Sequence, residues 1–245
     1  MNKYYTSIKS KDGFGAQYQR IIQTYIYCKL HSLNFAYTPL EYIEHNYEND
    51  HNYINKIEEL MNLKSKLQNI DNSMIVEELD FGTIVMKYTE ANIDLCNENK
   101  HMQFIKDCFW ENKEKNHFKN NKMNIAVHIR RENIADNGQC GYRGTTPHEY
   151  YLNIMNEIRE KYKDPPLQFH IYSQGVIENF KELEKEDVEF HLNEEITQTF
   201  IGLVAADVLV LSPSSFSYVA GLLSDGIIYY KPFWHSKKRD WLLCG

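Results

Sequence analysis

The second half of the sequence alternates between short apolar runs and longer segments with helical periodicity. Apolar runs bounded by turn residues indicate buried strands, and apolar residues that recur every three to four positions indicate helices. The predicted strands are 124–129, 167–172, 188–192, 208–211 and 227–230, and the predicted helices are 148–162, 176–184, 197–206 and 216–223. This alternation predicts a parallel, doubly wound sheet whose ligands lie outside the carboxyl ends of its strands.

The first half of the sequence is less regular, but its pattern is also typical of an α/β unit. The predicted strands are 4–8, 34–37 and 81–88, the predicted helices are 16–31 and 93–110, and 42–70 has helical periodicity. The polar stretch 111–122 has the composition of a linker or an exposed helix end. We therefore expect two lobes, 1–122 and 123–245.

The composition excludes several classes of protein. The 245 residues are 42% apolar and 13% aromatic, which is sufficient for a globular core. A net charge of -7 disfavours a general nucleic-acid partner. The five cysteines are scattered and form no C-x-x-C pair, which disfavours a disulfide framework and a zinc knuckle. The sequence shows neither an apolar leader nor about 20 consecutive apolar residues, so we expect no membrane span and a protein that is cytoplasmic or the soluble part of a larger chain.

A basic segment directly follows the predicted strand 124–129. Arg130 and Arg131 are expected at the edge of the sheet where ligands bind, and arginine forks match phosphate oxygens. His128 contacts the ligand or is a hydrogen-bonded scaffold residue. Glu132 and Asp136 follow in a turn-rich loop, where either pairs with an arginine, is solvated, or acts as a general base.

A hydroxyl-rich turn follows the buried strand 208–211 and opens the next helix. Ser214, Ser215 and Phe216 stand at this helix N-terminus, where backbone N–H groups and the helix dipole favour an anion. The alternative is simple helix capping, which needs only one serine. Because several serines stand together, the pattern favours a ligand site.

Two weaker signals lie elsewhere. Gly13 and Gly15 belong to a turn in which the backbone approaches a phosphate or packs closely against a neighbour. Ser173 ends the strand 167–172, and with His191 it is a candidate contact for the ribose or base of a nucleotide.

Several common catalytic motifs are missing from the sequence. There is no D-x-D pair, no H-E-x-x-H and no group of neighbouring Cys and His, so we expect no bound metal. Without a Walker A loop or a G-x-S-x-G elbow, the patterns of common nucleotide hydrolases and serine esterases are also missing.

Three segments together resemble the fucosyltransferase superfamily that carries the H-x-R-R-x-D motif. Residues 128–133 are similar to that motif, with Asn133 at the position of the usual Asp. The strand and S-S-F-S turn of 207–217 resemble its late donor-site motif, and 13–17 resembles its G-x-G-x-Q turn. The three segments occur in the family's order.

This resemblance implies a GT-B fold, with two Rossmann-like lobes and the donor cleft between them. It further implies an inverting glycosyltransferase that uses no metal, with a GDP-fucose donor and a glycan acceptor. The lobe 1–122 would face the acceptor, and the lobe 123–245 would bind the sugar nucleotide. Because Asn133 departs from the motif, another donor such as UDP-xylose and a non-catalytic sugar-nucleotide-binding module remain as alternatives.

The resemblance also assigns roles to residues. Arg130 would bind the diphosphate, and Arg131 would bind it or brace the loop. The 214–216 turn would line the phosphate and ribose. Asp136 is the first candidate for the base that deprotonates the acceptor hydroxyl, and Glu132 is the second.

Overall fold

The computed structural model describes residues 3–46, 49–131 and 146–244. The chain divides into two compact units, Met1–Glu114 and Lys115–Gly245. Each unit contains its own parallel sheet with helices packed against it. The predicted α/β class is therefore confirmed.

The first unit is built on a three-stranded parallel sheet in the order β2-β1-β3. Its strands are β1 (Lys3–Ser7), β2 (Asn34–Phe35) and β3 (Ile75–Leu79). Its helices are α1 (Phe14–Leu30), α2 (Tyr53–Met61), α3 (Lys87–Ala91), α4 (Ile93–Asn97) and α5 (Lys100–Trp110). Helix α1 packs on the sheet and contributes Tyr18, Ile22 and Ile26, each at most 1% exposed, to the core of this unit.

The prediction of a strand at 81–88 is wrong. Residues Phe81–Met86 form a π-helical turn that continues into α3, and the Asp80 carboxylate accepts a hydrogen bond from the Thr83 backbone N–H. The third strand instead precedes this turn, and only Leu79 of β3 is fully buried. An edge strand that buries so little apolar surface leaves a weak hydrophobic pattern in the sequence.

The predicted helix 93–110 is divided in two. Asn99 lies between α4 and α5, and its side chain accepts hydrogen bonds from the N–H groups of His101 and Met102. A side chain that caps a helix in this way satisfies N–H groups that have no partner within the helix, so it starts a new one. Within 42–70, the described helix is limited to α2.

The second unit contains a six-stranded parallel sheet in the order β6-β5-β4-β7-β8-β9. Its strands are β4 (Met123–His128), β5 (Leu167–Ser173), β6 (Val188–Leu192), β7 (Val208–Val210), β8 (Ile227–Tyr230) and β9 (Leu242–Leu243). Its helices are α6 (His148–Lys161), a 3-10 helix (Ile177–Leu183), α7 (Ile196–Ala205) and α8 (Ser215–Leu223). Numbered within the unit, the strand order is 3-2-1-4-5-6, which is the Rossmann order.

The two faces of this sheet are covered by different helices. On one face, α6 and the 3-10 helix pack on Ile125, Val127 and Ile171. On the other face, the ring of Phe216 in α8 contacts His128, and Gly202 in α7 lies against Tyr172. A Cβ on Gly202 would lie 2.1 Å from the Tyr172 hydroxyl oxygen, so only glycine fits this close approach. The prediction of a doubly wound sheet in this half is confirmed.

Among the residues that the structure describes, every helix is too short or too polar to cross a bilayer.

Candidate functional site

The strand order reverses between β4 and β7 in the sheet of the second unit. Strand β4 pairs with β5 on one side and with β7 on the other. Chains leave the two central strands toward opposite faces at such a point, which opens a crevice at the carboxyl ends. His128 is the last residue of β4, and Ser212 follows β7 by two positions. The crevice is therefore bordered by the two segments that the sequence singled out.

A buried hydrogen bond joins these two segments. The Ser212 hydroxyl lies 2.7 Å from Nδ1 of His128, and the side chains are 1% and 8% exposed. Burial, together with the nearby Arg130 guanidinium, lowers the pKa of His128 to about 3. The imidazole is therefore neutral and links the ends of β4 and β7. This geometry favours the scaffold role over direct ligand contact.

The two arginines that follow His128 have different surroundings. Both are half-buried at the end of β4. The guanidinium of Arg131 lies over the Phe180 ring, 5.3 Å from its centroid, which is a cation–π contact. Its Nη1 also lies 3.6 Å from the position of a Cβ on Gly175, in the turn after β5. Arg131 is thus held against the neighbouring loop, and its role in binding the diphosphate or bracing the loop stays a prediction.

The serine turn lies directly at the N-terminus of α8. Ser214 is the N-cap, and its hydroxyl accepts a hydrogen bond from the Phe216 N–H at 3.3 Å. The Ser215 hydroxyl lies 3.4 Å from Nε2 of His235. One serine therefore caps the helix, and the other is beside a histidine near the same turn. Capping and ligand binding are compatible here because they use different hydroxyls.

Sequence reasoning missed two residues that shape this site, Ser212 and His235. Ser212 belongs to the same serine-rich run, and its hydroxyl lies 2.7 Å from Nδ1 of His128 on β4 and 3.3 Å from the Ser217 hydroxyl in α8. His235 is 6% exposed, and its Nε2 also accepts from the Trp234 indole N–H at 3.0 Å. His235 has no local motif around it, so the sequence contains no signal that brings it to Ser215.

Ser173 and His191 occupy the neighbouring strands of the same sheet. The Ser173 hydroxyl donates to the Ile129 carbonyl at 2.8 Å and fastens β5 to the end of β4. Both ring nitrogens of His191 have polar neighbours: Nδ1 lies 2.8 Å from Glu194, and Nε2 lies 3.0 Å from His170. A nucleotide role for either residue stays a prediction.

The glycine turn belongs to the first unit. Gly13 precedes α1, and a Cβ on it would lie 2.9 Å from the His45 ring. Gly15 is buried in the first turn of α1. Gln17 donates hydrogen bonds from its amide to the carbonyls of Asp12 and Tyr42. These contacts give the turn a packing role, and a phosphate contact stays a prediction.

The two candidates for the catalytic base, Glu132 and Asp136, lie outside the described residues.

No protein-family model matches the sequence, and no curated protein matches it. Among solved structures, the chain is similar to the fucosyltransferase NodZ from Bradyrhizobium, with a TM-score of 0.46, 12% identity and coverage of 91% of this chain and 94% of that one. It is also similar to the E. coli heptosyltransferase WaaC, with a TM-score of 0.45, 12% identity and coverage of 100% and 93%. A mutant of Arabidopsis thaliana FUT1 in complex with GDP matches with a TM-score of 0.40, 10% identity and coverage of 97% and 72%. Because none of these TM-scores reaches 0.5, the function of the chain has to be argued from its own residues.

Proposed function

We propose that the chain is a glycosyltransferase that moves a sugar from a nucleotide-sugar donor to a glycan hydroxyl. The observation that carries this proposal is that two candidate phosphate-binding segments meet at the strand-order reversal. The arginine pair after β4 and the serine turn before α8 border one crevice, and the Ser212–His128 hydrogen bond of 2.7 Å joins them. The similarity of 128–133, 207–217 and 13–17 to the fucosyltransferase superfamily supplies the sugar-transfer chemistry.

This arrangement suits a diphosphate leaving group. As the glycosidic bond to the nucleotide breaks, negative charge grows on the diphosphate. Arg130 supplies a fixed positive charge, and the N-terminus of α8 supplies backbone N–H groups and a dipole end. Fixed donors aimed at developing charge stabilise the transition state without reorganisation, so no divalent cation is required at the phosphates. We propose metal-independent transfer for this reason.

The acceptor hydroxyl attacks the anomeric carbon from the face opposite the departing diphosphate. The proton of that hydroxyl passes to a carboxylate, with Asp136 the first candidate and Glu132 the second. A single displacement of this kind inverts the configuration at the anomeric carbon. GDP-fucose is the favoured donor, and UDP-xylose is the alternative that keeps the same crevice.

The first experiment is a thermal-shift screen with GDP, UDP, GDP-fucose and UDP-xylose, each with and without EDTA. A ligand at 100 times its dissociation constant stabilises the folded state by about 2.7 kcal/mol. We expect shifts with GDP and GDP-fucose that EDTA does not abolish. Shifts with the uridine nucleotides alone would change the assigned donor from GDP-fucose to a uridine nucleotide sugar. The absence of a shift with any nucleotide would contradict the proposal.

Two arginine variants separate ligand binding from folding. Arg130→Ala is expected to lose nucleotide binding with little change in melting temperature, and to lower turnover by roughly a factor of 100 to 1,000. Arg159→Ala is the matched control, because Arg159 donates two hydrogen bonds to Asp187, at 2.7 and 2.8 Å. It should lower the melting temperature and keep nucleotide binding. The reverse pattern would mark Arg130 as structural.

Turnover separates the enzyme from a non-catalytic module. GDP release from GDP-fucose is measured with a panel of glycans that carry different terminal sugars. Acceptor-dependent release supports a transferase. Tight nucleotide binding without release in the presence of any glycan would favour a module that binds the donor and has lost its base.

A further inference from the structure

Three potential metal ligands converge on the neighbouring strands β5 and β6. His170 on β5 is in register with Glu189 on β6, and His191 lies two positions further along β6 on the same face. Nδ1 of His170 is 3.0 Å from Nε2 of His191. Oε2 of Glu189 lies 3.6 Å from Nδ1 of His170, and Oε1 of the same carboxylate lies 3.8 Å from Nε2 of His191. One ligand atom from each residue lies within 4.8 Å of both others.

The outer nitrogen of each imidazole has a hydrogen-bond acceptor. Nε2 of His170 lies 3.1 Å from Oδ1 of Asn124. The Asn124 amide is oriented by its own Nδ2, which donates to the Lys122 carbonyl at 3.0 Å, so its oxygen faces the histidine. Nδ1 of His191 lies 2.8 Å from the Glu194 carboxylate. Each outer nitrogen is therefore placed to donate a ring proton, in the tautomer that leaves the inner nitrogen free to bind a metal.

The inner nitrogens face each other across 3.0 Å. Two nitrogen lone pairs at this distance repel unless a cation or a proton lies between them, and the Glu189 carboxylate beside them adds negative charge. A cation between the three groups removes this repulsion. The two imidazole rings are also held in place by stacking. The ring centroids of Phe118 and His170 are 4.3 Å apart, and those of Tyr172 and His191 are 4.5 Å apart.

We propose that His170 Nδ1, His191 Nε2 and the Glu189 carboxylate bind a Zn²⁺ ion. Zinc takes nitrogen and carboxylate ligands at about 2.0–2.2 Å, which places two tetrahedral ligand atoms about 3.3 Å apart. The nitrogen–nitrogen separation of 3.0 Å and the separations of 3.6 and 3.8 Å to the two Glu189 oxygens lie on either side of this value. Protein-bound zinc histidines typically donate their other ring N–H to a carboxylate or carbonyl oxygen, as Glu194 and Asn124 accept here.

The open side of the site faces solvent. The Glu189 side chain is 58% exposed, so a water molecule completes the coordination. Because β6 is the edge strand of the sheet, the ion ties this edge to β5. Strand β6 lies two strands, or about 10 Å, from β4, so the ion belongs to a different part of the sheet from the arginines. The site does not depend on the proposed glycosyl transfer, and it departs from the sequence-based expectation of no metal.

The test uses tag-free protein that has been stripped with EDTA and dialysed. Zn²⁺ titrated by calorimetry should bind with one-to-one stoichiometry and raise the melting temperature. Co²⁺ should give visible ligand-field absorption without a thiolate charge-transfer band, which distinguishes these ligands from the free cysteines. Glu189→Gln and His191→Gln should each raise the Zn²⁺ dissociation constant at least tenfold.

The control variant is Glu186→Gln, which makes the same change of charge at an exposed residue before β6. It should bind Zn²⁺ like the unmodified chain. Glu194→Gln should weaken binding by about 10- to 100-fold by releasing the His191 ring. The proposal is overturned if the stripped protein binds no Zn²⁺, which is the result expected if a proton shared by the His170 and His191 rings occupies the site. It is also overturned if Glu189→Gln and Glu186→Gln bind Zn²⁺ equally. Nucleotide thermal shifts are measured on the same samples, so failure of the zinc site and failure of donor binding are read separately.

Discussion

Replacing Ser212 with alanine tests whether the crevice is held together by its buried hydrogen bond. The substitution removes the hydroxyl that lies 2.7 Å from Nδ1 of His128, which is 8% exposed. A buried polar atom left without a partner costs about 1–3 kcal/mol. For a chain of this size, each kcal/mol corresponds to about 2–4 °C in melting temperature. We therefore expect Ser212→Ala to lower the melting temperature by several degrees.

A double-mutant cycle identifies the cause of that loss. His128→Phe keeps the ring shape but removes the nitrogen, so Ser212→Ala should cost less in the His128→Phe background. The expected coupling between the two sites is about 0.5–3 kcal/mol. Chemical denaturation measures the free energy of unfolding of all four proteins. If the two substitutions add, the hydrogen bond does not join the strands and the reasoning is refuted. Nucleotide titration of Ser212→Ala should show weaker binding than in the unmodified chain, because the substitution breaks the link between the arginine segment and the serine turn, which are the two proposed phosphate contacts.

Three further predictions follow from contacts in the two units. Because the folded-state pKa of His128 is about 3, below the ordinary value of about 6.5, the unfolded chain takes up the proton first as the pH falls. The contribution of the neutral His128 side chain to the free energy of unfolding is therefore complete above pH 6.5 and is lost as the pH falls toward 3. His128→Phe should flatten the dependence of the free energy of unfolding on pH in that window. Tyr172→Phe should raise the melting temperature, since the buried hydroxyl finds no partner among the described residues; an unchanged or lower value would reveal a hidden partner. Asn99→Ala should cost about 0.5–2 kcal/mol by removing the N-cap of α5, whereas Asn99→Ser should recover most of that loss in a denaturation series.

The sequence predicted the second unit well because its central strands are buried apolar runs and the strand β6 at one edge alternates apolar and polar residues. Strand β4, for example, is an apolar run that α6 covers on one side, and β6 and β8 were predicted with their full bounds. In the first unit, β3 lies at an edge and buries little, so the prediction moved to the more apolar segment 81–86, which is helical. A strand can be recognised in a sequence when it forms a buried apolar run, as in β4, or an apolar–polar alternation, as in β6.

The candidate site was predicted only as separate segments. Arg130 and the serine turn follow from strand ends and helix starts, which are local patterns. The His128–Ser212 contact joins residues 84 positions apart, and the histidines of the proposed zinc site meet through the register of β5 and β6. Neither contact can be predicted from the spacing of residues in the sequence, because both depend on which strands become neighbours.

The central position of β4 means that its two edges find their partner strands at different times during synthesis. Its partner β5 emerges from the ribosome first, whereas β7 follows only after two further helical connections. Until then, one edge of β4 has no strand to pair with, and unpaired edges recruit other chains. Parallel pairing between distant segments is slow to form. The crevice between β4 and β7 is therefore among the last features to be completed during synthesis, and a chain that ends before β7 displays the arginines beside an open, aggregation-prone edge.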